Sequence, residues 1–134
     1  MGKSDSRRVV EEIYAAFVIG DIEGVLNLLT EDVEWYHPRG QDIPWGGYRR
    51  GRQQVAEFFK AIGDTIEVER FEPVRFVVEG GSVSVLGSET ARVKATGLHY
   101  DTEWVHVFTV KEGKVSEFRE YTDTATIIEA LKAG

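Results

Sequence analysis

The sequence predicts an α+β fold in which a curved β-sheet wraps around N-terminal helices. Apolar residues recur at helical spacing in the first half, and the pattern changes to strand-like alternation near Thr65. Glycine-containing turns at Gly80-Gly81, Gly97 and Gly113 then divide the second half into segments of strand length. Helices followed by a meander of antiparallel strands are typical of an α+β domain. We expect one domain over residues 1–134.

Three helices are predicted before the sheet. The first covers residues 4–18, and a short second helix follows the break at Gly20-Asp21. A short strand over residues 31–36 precedes the third helix, which begins at Gly51. Their inward faces are Val9, Val10, Ile13, Tyr14 and Phe17, then Val25, Leu26 and Leu29, then Val55, Phe58, Phe59 and Ile62.

Four long strands are predicted at residues 66–79, 82–95, 100–111 and 115–122, with a bulge at Pro73 because proline cannot donate to a strand ladder. A last helix follows Asp123-Thr124. Strands of this length curl, and a curled sheet closed by helices encloses a cavity suited to a small molecule. We expect this cavity to be lined by Phe17, Trp35, Trp104 and Phe118.

Residues 38–48 are predicted to be a loop, since two prolines and three glycines fall within a few positions. The loop also carries Trp45 and Tyr48. Aromatic rings between glycines are typical of a movable cover, so we expect a partial lid with Trp45 or Tyr48 at the cavity mouth.

Composition excludes several function classes. A net charge of −7 disfavours nucleic-acid binding, which needs a basic surface. The chain has no cysteine, which excludes disulfides and thiolate chemistry and fits a reducing compartment. No apolar run is long enough to span a bilayer, and the N-terminus is too polar for a secretory signal, so a cytoplasmic location and no membrane partner are expected.

One face of the strand at residues 82–95 is apolar except for Glu89. A lone carboxylate on a buried face must be paired, protonated or directed at a wet cavity. Two interpretations stay open. Glu89 faces a ligand cavity between the small residues Gly87 and Ala91, or it is turned outward by a bulge or paired with an arginine.

Other candidate residues lie on neighbouring segments. Glu120 shares a strand face with Phe118, and His106 lies between Trp104 and Phe108 on one face of the preceding strand. His106 is either a core residue with a satisfied ring or a catalytic group.

His37 stands just before the aromatic loop, where a position in the cavity is plausible. No His-x-His spacing occurs, and no metal site and no cofactor are predicted.

The order of elements, together with Gly113-Lys114-Val115 and the run from Phe118 to Asp123, resembles the nuclear transport factor 2-like superfamily. Within it the chain is similar to SnoaL-like, ketosteroid isomerase-like and limonene epoxide hydrolase proteins. The likeness spans nearly the whole chain. It implies a cone-shaped, curved mixed sheet around the N-terminal helices, a fold that hosts isomerases, cyclases, dehydratases, hydrolases and non-enzymes.

The likeness to the epoxide hydrolase concerns individual positions. Glu120 stands where that enzyme has one catalytic Asp, and Glu89 stands where it has the second. The bridging Arg of that enzyme falls on Gly87 here, and its water-holding Tyr and Asn fall on Trp35 and His37. Epoxide hydrolysis by the same Asp-Arg-Asp arrangement is therefore not expected.

The resemblance and the residues together predict a cofactor-independent acid–base enzyme acting on a small hydrophobic molecule. Glu89, Glu120, His37 and His106 are the candidate catalytic residues, and two carboxylates in one apolar site give an acid and a base at neutral pH. Phe17, Trp35, Trp45, Tyr48, Trp104 and Phe118 are the candidate substrate-binding residues. The alternatives are a non-catalytic ligand-binding module and a dimerisation domain. A homodimer through the outer sheet face is expected, because Val105 and Val107 leave an apolar strip there.

Overall fold

The computed structural model of the protein describes residues 2 to 132, so Met1, Ala133 and Gly134 of the predicted domain lie outside the described part. The helices are α1 (Gly2–Val18), α2 (Ile22–Leu26), α3 (Arg52–Thr65) and α4 (Thr124–Lys132). The strands are β1 (Leu29–His37), β2 (Gly47–Arg50), β3 (Ile66–Glu79), β4 (Ser82–Val93), β5 (His99–Lys111) and β6 (Lys114–Thr122). None of the helices within residues 2–132 has the length and apolar character needed to cross a membrane.

The strands form a six-stranded mixed sheet in the order β2-β1-β6-β5-β4-β3. β1 and β6 pair in parallel, and the other neighbours are antiparallel. The β5–β6 hairpin turns at Glu112 and Gly113, which both have positive φ, as a tight two-residue turn requires. This curved sheet with its N-terminal helices confirms the predicted fold class.

The helices pack on one face of the sheet, where the core lies. Val10, Ile13 and Tyr14 are buried on one side of α1, as their helical spacing predicts. The ring of Tyr14 contacts Phe71 of β3 and Phe108 of β5. The predicted bulge at Pro73 is present as a register shift in β3 between Pro73 and Arg75.

The predicted loop over residues 38–48 differs from the structure at its end. Residues 47–50 form strand β2, which pairs with β1 at Tyr36 and Tyr48. A strand of four residues has too little alternation to be recognised, and its pairing depends on the preceding loop folding back. Leu29, predicted in the second helix, instead begins β1 and is fully buried there.

Candidate active site

A cavity of about 60 Å³ lies between the helices and the concave face of the sheet. Its polar lining comes from Glu89 on β4, His106 on β5 and Glu120 on β6, together with the Tyr14 hydroxyl from α1. The remaining wall is apolar and largely aromatic, and consists of Ile13, Phe17, Trp35, Trp45, Phe58, Phe59, Ile62, Ile66, Val68, Phe71, Phe108 and Phe118.

Strand register brings the polar groups together. His106 and Glu120 are directly opposite each other in the β5–β6 ladder, so their side chains share the concave face. Glu89 lies on β4, on the far side of β5 from Glu120, opposite Thr102. The structure therefore places Glu89 in the cavity wall and not on the outer face of the sheet.

The carboxyl group of Glu120 lies between two histidine rings. Its Oε1 is 3.3 Å from Nε2 of His106, and its Oε2 is 3.8 Å from Nε2 of His37. Only the first of these distances is short enough for the histidine and the carboxylate to share a hydrogen bond.

His106 has fixed partners on both ring nitrogens. Nδ1 is 2.9 Å from the Tyr14 hydroxyl, and Nε2 faces Glu120. Burial, and then the charge of Glu120, raise the pKa of Tyr14, so it stays a phenol, and its hydroxyl shares a hydrogen bond with Nδ1. The ring of His106 also stacks on Trp104, with centroids 3.8 Å apart. The result is a chain of contacts from Tyr14 through His106 to Glu120.

The two acids have opposite protonation preferences. Burial would raise the pKa of Glu120, but the charge of His106 and its hydrogen bond lower it below the usual range. Burial, and next the charge of Glu120, raise the pKa of Glu89 to about 8, against a smaller lowering by Tyr100 and Arg70. At neutral pH Glu120 is a carboxylate and Glu89 is a carboxylic acid.

Tyr100 extends the polar region beyond the cavity wall. Burial, and then the charge of Glu89, raise the pKa of its hydroxyl. This hydroxyl is near enough to Glu89 to lower the pKa of its carboxyl group, but its geometry does not meet the criteria of a hydrogen bond to any described residue.

His37 lies behind the cavity wall and not in it. It is 1% exposed, its Nδ1 is 2.9 Å from the carbonyl oxygen of Pro38, and its Nε2 accepts from Nε1 of Trp45 at 3.2 Å. His37 thus reaches Glu120 from the side opposite His106.

Two predicted binding residues lie elsewhere. Tyr48 is on β2, 57% exposed, and its hydroxyl donates to Glu34, because strand alternation directs its side chain to the outer face. Trp104 is buried but outside the cavity lining, because Gly87 opposite it leaves room for its ring to lie flat behind His106. The predictions for Tyr48 and Trp104 as cavity residues are wrong.

The sequence does not predict that the Tyr14 hydroxyl lies in the site. Helical spacing shows only that Tyr14 belongs to the apolar face of its helix. A usable signal is present, since a buried tyrosine hydroxyl needs a hydrogen-bond partner. Phe17, Trp35, Trp45 and Phe118 do lie in the cavity wall. Within residues 2–132, no group of three or more His, Asp or Glu side chains is arranged to hold a metal ion.

Comparison with known proteins gives consistent matches over most of the chain. The family model of the SnoaL-like domain matches residues 10–118. No curated protein matches the chain.

Several solved structures are similar over nearly the full length of both chains. An NTF2-like protein from Burkholderia xenovorans is 33% identical, with a TM-score of 0.90, over 98% of this chain and 99% of that chain. An NTF2-like protein from Burkholderia pseudomallei is 31% identical, with a TM-score of 0.89, over 96% and 98%. TerC, co-crystallised with polyporic acid, is 27% identical, with a TM-score of 0.87, over 96% and 99%.

Proposed function

Since the chain belongs to the SnoaL-like domain family, we propose that it is a cofactor-independent acid–base enzyme that transfers a proton on a small, neutral, apolar molecule in the concave cavity. The membership confirms the resemblance found in the sequence. The observation that carries the proposal is the pair Glu89 and Glu120, two acids with opposite protonation preferences in the wall of one apolar cavity.

Glu120 acts as the general base in this proposal. It is ionised, it borders the cavity, and His106 occupies its Oε1, which leaves Oε2 to accept a proton. Tyr14 and Trp104 hold the ring of His106 in place, so the carboxylate is oriented before a substrate binds. Glu89 acts as the general acid, because burial keeps it protonated at neutral pH.

These two roles define a reaction. Glu120 removes a proton from carbon beside a carbonyl, the C–H electron pair forms a carbon–carbon double bond, and the carbonyl oxygen takes the proton of Glu89 to give an enol. Return of the proton to a different carbon isomerises the substrate. Attack of the enol carbon on a second carbonyl closes a ring, while the enol oxygen returns its proton to Glu89 and the protonated Glu120 supplies the proton of the new hydroxyl. A dehydration follows when Glu120 removes the α-proton again and the β-hydroxyl leaves as water with the proton of Glu89.

The lining of the cavity indicates the class of substrate. None of its residues is lysine or arginine, so the cavity offers an anionic group no permanently charged partner, and such a group would also be repelled by Glu120. The aromatic wall favours a flat apolar ring, and the small volume favours a single ring or a short chain. That TerC was co-crystallised with polyporic acid supports a small-molecule ligand for this chain.

Deuterium uptake from D2O into single-ring ketones such as cyclopentanone, cyclohexanone and cyclohexenone, followed by proton NMR, tests the proposal. We expect exchange faster than in buffer, and a loss of about 100-fold to 10,000-fold in Glu120→Gln. Glu103→Gln is the matched control, because Glu103 is an exposed glutamate one strand away. Ketones that bind by calorimetry without any enzyme-dependent exchange would instead support the ligand-binding module.

A further inference from the structure

Trp45 comes from the irregular segment of residues 38–46 and reaches the cavity from the side of His37. Its indole is 3% exposed and forms part of the cavity wall. The segment is fastened to the sheet by Arg49, whose Nη1 donates to the carbonyl oxygens of Trp45 and Gly46. These hydrogen bonds hold the backbone of Trp45 against the site.

The partners of His37 determine where its proton lies. The Pro38 carbonyl oxygen can only accept, so Nδ1 of His37 must carry a hydrogen. The indole Nε1 of Trp45 can only donate, so Nε2 of His37 must offer its lone pair. Together these two hydrogen bonds require a neutral ring protonated at Nδ1 alone.

This tautomer affects the base of the proposed reaction. Oε2 of Glu120 is 3.8 Å from Nε2 of His37, and no hydrogen lies between these atoms while Trp45 occupies the lone pair. A protonated Nε2 would instead donate to Oε2 and form an ion pair. Both oxygens of Glu120 would then be occupied by histidine N–H groups.

We propose that Trp45 is a positioning residue. By donating its indole N–H to Nε2 of His37, it keeps that ring neutral and leaves Oε2 of Glu120 free to accept the proton from the substrate. This inference rests on the proposed function, in which Glu120 is the base.

Other charged groups face this cluster from each neighbouring strand. Glu120 on β6 favours a positive charge on His37, and Glu89 on β4 is uncharged at neutral pH. His106 on β5 contacts the other oxygen of Glu120. Arg49 on β2 is bonded to the Trp45 segment and opposes a second positive charge nearby. The indole N–H is the group that directly occupies the Nε2 lone pair of His37.

Nitrogen-15 NMR of the histidine side chains tests the inference without any turnover. In the wild-type protein at neutral pH, we expect His37 to show an unprotonated Nε2 that is hydrogen-bonded to an indole N–H. In Trp45→Phe the lone pair is released, and we expect the Nε2 resonance to lose the signature of its hydrogen bond to an indole N–H. A wild-type ring protonated at Nε2, or an unchanged His37 spectrum in Trp45→Phe, would overturn the inference.

The pH profile of kcat/KM, measured with the ketone exchange assay, is a second test of the inference. We expect kcat/KM of Trp45→Phe to fall further below that of wild type at low pH than at high pH, because a protonated Nε2 would occupy Oε2 of Glu120. Adding His37→Asn to Trp45→Phe should restore the wild-type profile, because asparagine can still donate to Pro38 but has no atom in the place of Nε2.

Trp35→Phe is the matched control for loss of an indole. Trp35 also lines the cavity, but its Nε1 has no hydrogen-bond partner among the described residues. We expect this variant to change activity by the same factor at every pH. A profile of Trp45→Phe that matches that of Trp35→Phe would contradict the inference and leave the role of Glu120 standing. If no ketone exchanges at all, the proposed function fails, and the NMR result still decides the protonation state of His37.

Discussion

Glu89 and Glu120 face one cavity from strands separated by β5, and the charge of Glu120 helps Glu89 to keep its proton. The reverse does not occur, because His106 stabilises the ionised form of Glu120. The pKa values of the two acids therefore differ because His106 lies beside Glu120 and not beside Glu89. An acid and a base within one apolar site are what enolisation requires.

Glu89 and Glu120 should behave as a unit in the exchange assay. We expect Glu89→Gln and Glu120→Gln each to lose about 100-fold to 10,000-fold in rate, and the double variant to lose little more than the worse single variant. Circular dichroism should show the fold intact in all three, since glutamine has nearly the same shape. Losses that multiply in the double variant would mean that the two residues act independently.

The raised pKa of Glu89 predicts a pH-dependent stability. Above the usual pKa of 4.5 the unfolded chain loses this proton, whereas the folded protein keeps it until about pH 8. The folded state binds more protons across this window, so this group makes stability fall as the pH rises. A tenfold difference in proton affinity between the folded and unfolded states corresponds to about 1.4 kcal/mol of stability.

Glu89→Gln removes this effect, because an amide does not ionise. We expect the variant to gain stability relative to wild type as the pH rises from 5 to 9, as measured by urea unfolding. A constant difference between the two proteins over that range would show that Glu89 titrates normally.

Gly87 should be sensitive to substitution because the Trp104 ring covers it. A Cβ at this position would clash with the indole of Trp104 and lie 2.7 Å from the carbonyl oxygen of Glu72. We expect Gly87→Ala to lower the free energy of unfolding by about 1–3 kcal/mol, as measured by urea unfolding. It should also lower activity, because Trp104 supports His106.

Gly63→Ala is the matched control for this substitution. Gly63 lies within α3, and an added Cβ would meet nothing within 4 Å. We expect Gly63→Ala to raise the free energy of unfolding by about 0.5–1 kcal/mol, because alanine is more stable than glycine inside a helix. If both alanine variants changed stability alike, contact with Trp104 would not be the cause.

We also propose a homodimer through the outer face of the sheet. Leu86, Val105 and Tyr121 are neighbours across β4, β5 and β6 there, and Val74 on β3 is 69% exposed. The helices pack on the opposite face and leave this strip uncovered. An exposed apolar strip of this kind is typical of an interface, and a two-fold axis would pair it with its own copy.

Sedimentation at micromolar concentration tests the dimer. We expect wild type to sediment as a dimer and Leu86→Lys to sediment as a folded monomer, because a buried lysine without a partner disfavours the interface. Ile19→Lys should remain a dimer, since Ile19 is 78% exposed but follows α1, away from the sheet. A monomeric wild type would refute the proposed assembly.

The order of most helices and strands can be predicted from the amino-acid sequence. Helical spacing at Val10, Ile13 and Tyr14 and alternation along β4 are local properties of the chain, so they are visible without knowledge of the fold. The isolated charge of Glu89 on an apolar strand face indicates a residue in the cavity wall for the same reason. Strand β2 escapes such prediction because four residues next to a glycine-rich loop carry almost no periodic signal.

The pairing of side chains in the site depends instead on how the whole chain packs. Alternation puts His106 and Trp104 on the same strand face, but the absence of a side chain at Gly87 lets Trp104 lie flat behind the histidine and outside the cavity. The contact of Tyr14 with His106 joins residues 92 positions apart. The tautomer of His37 depends on the folding of residues 38–46. Hydrogen bonds and pKa values depend on distances between segments that are remote in sequence, and tertiary packing sets those distances.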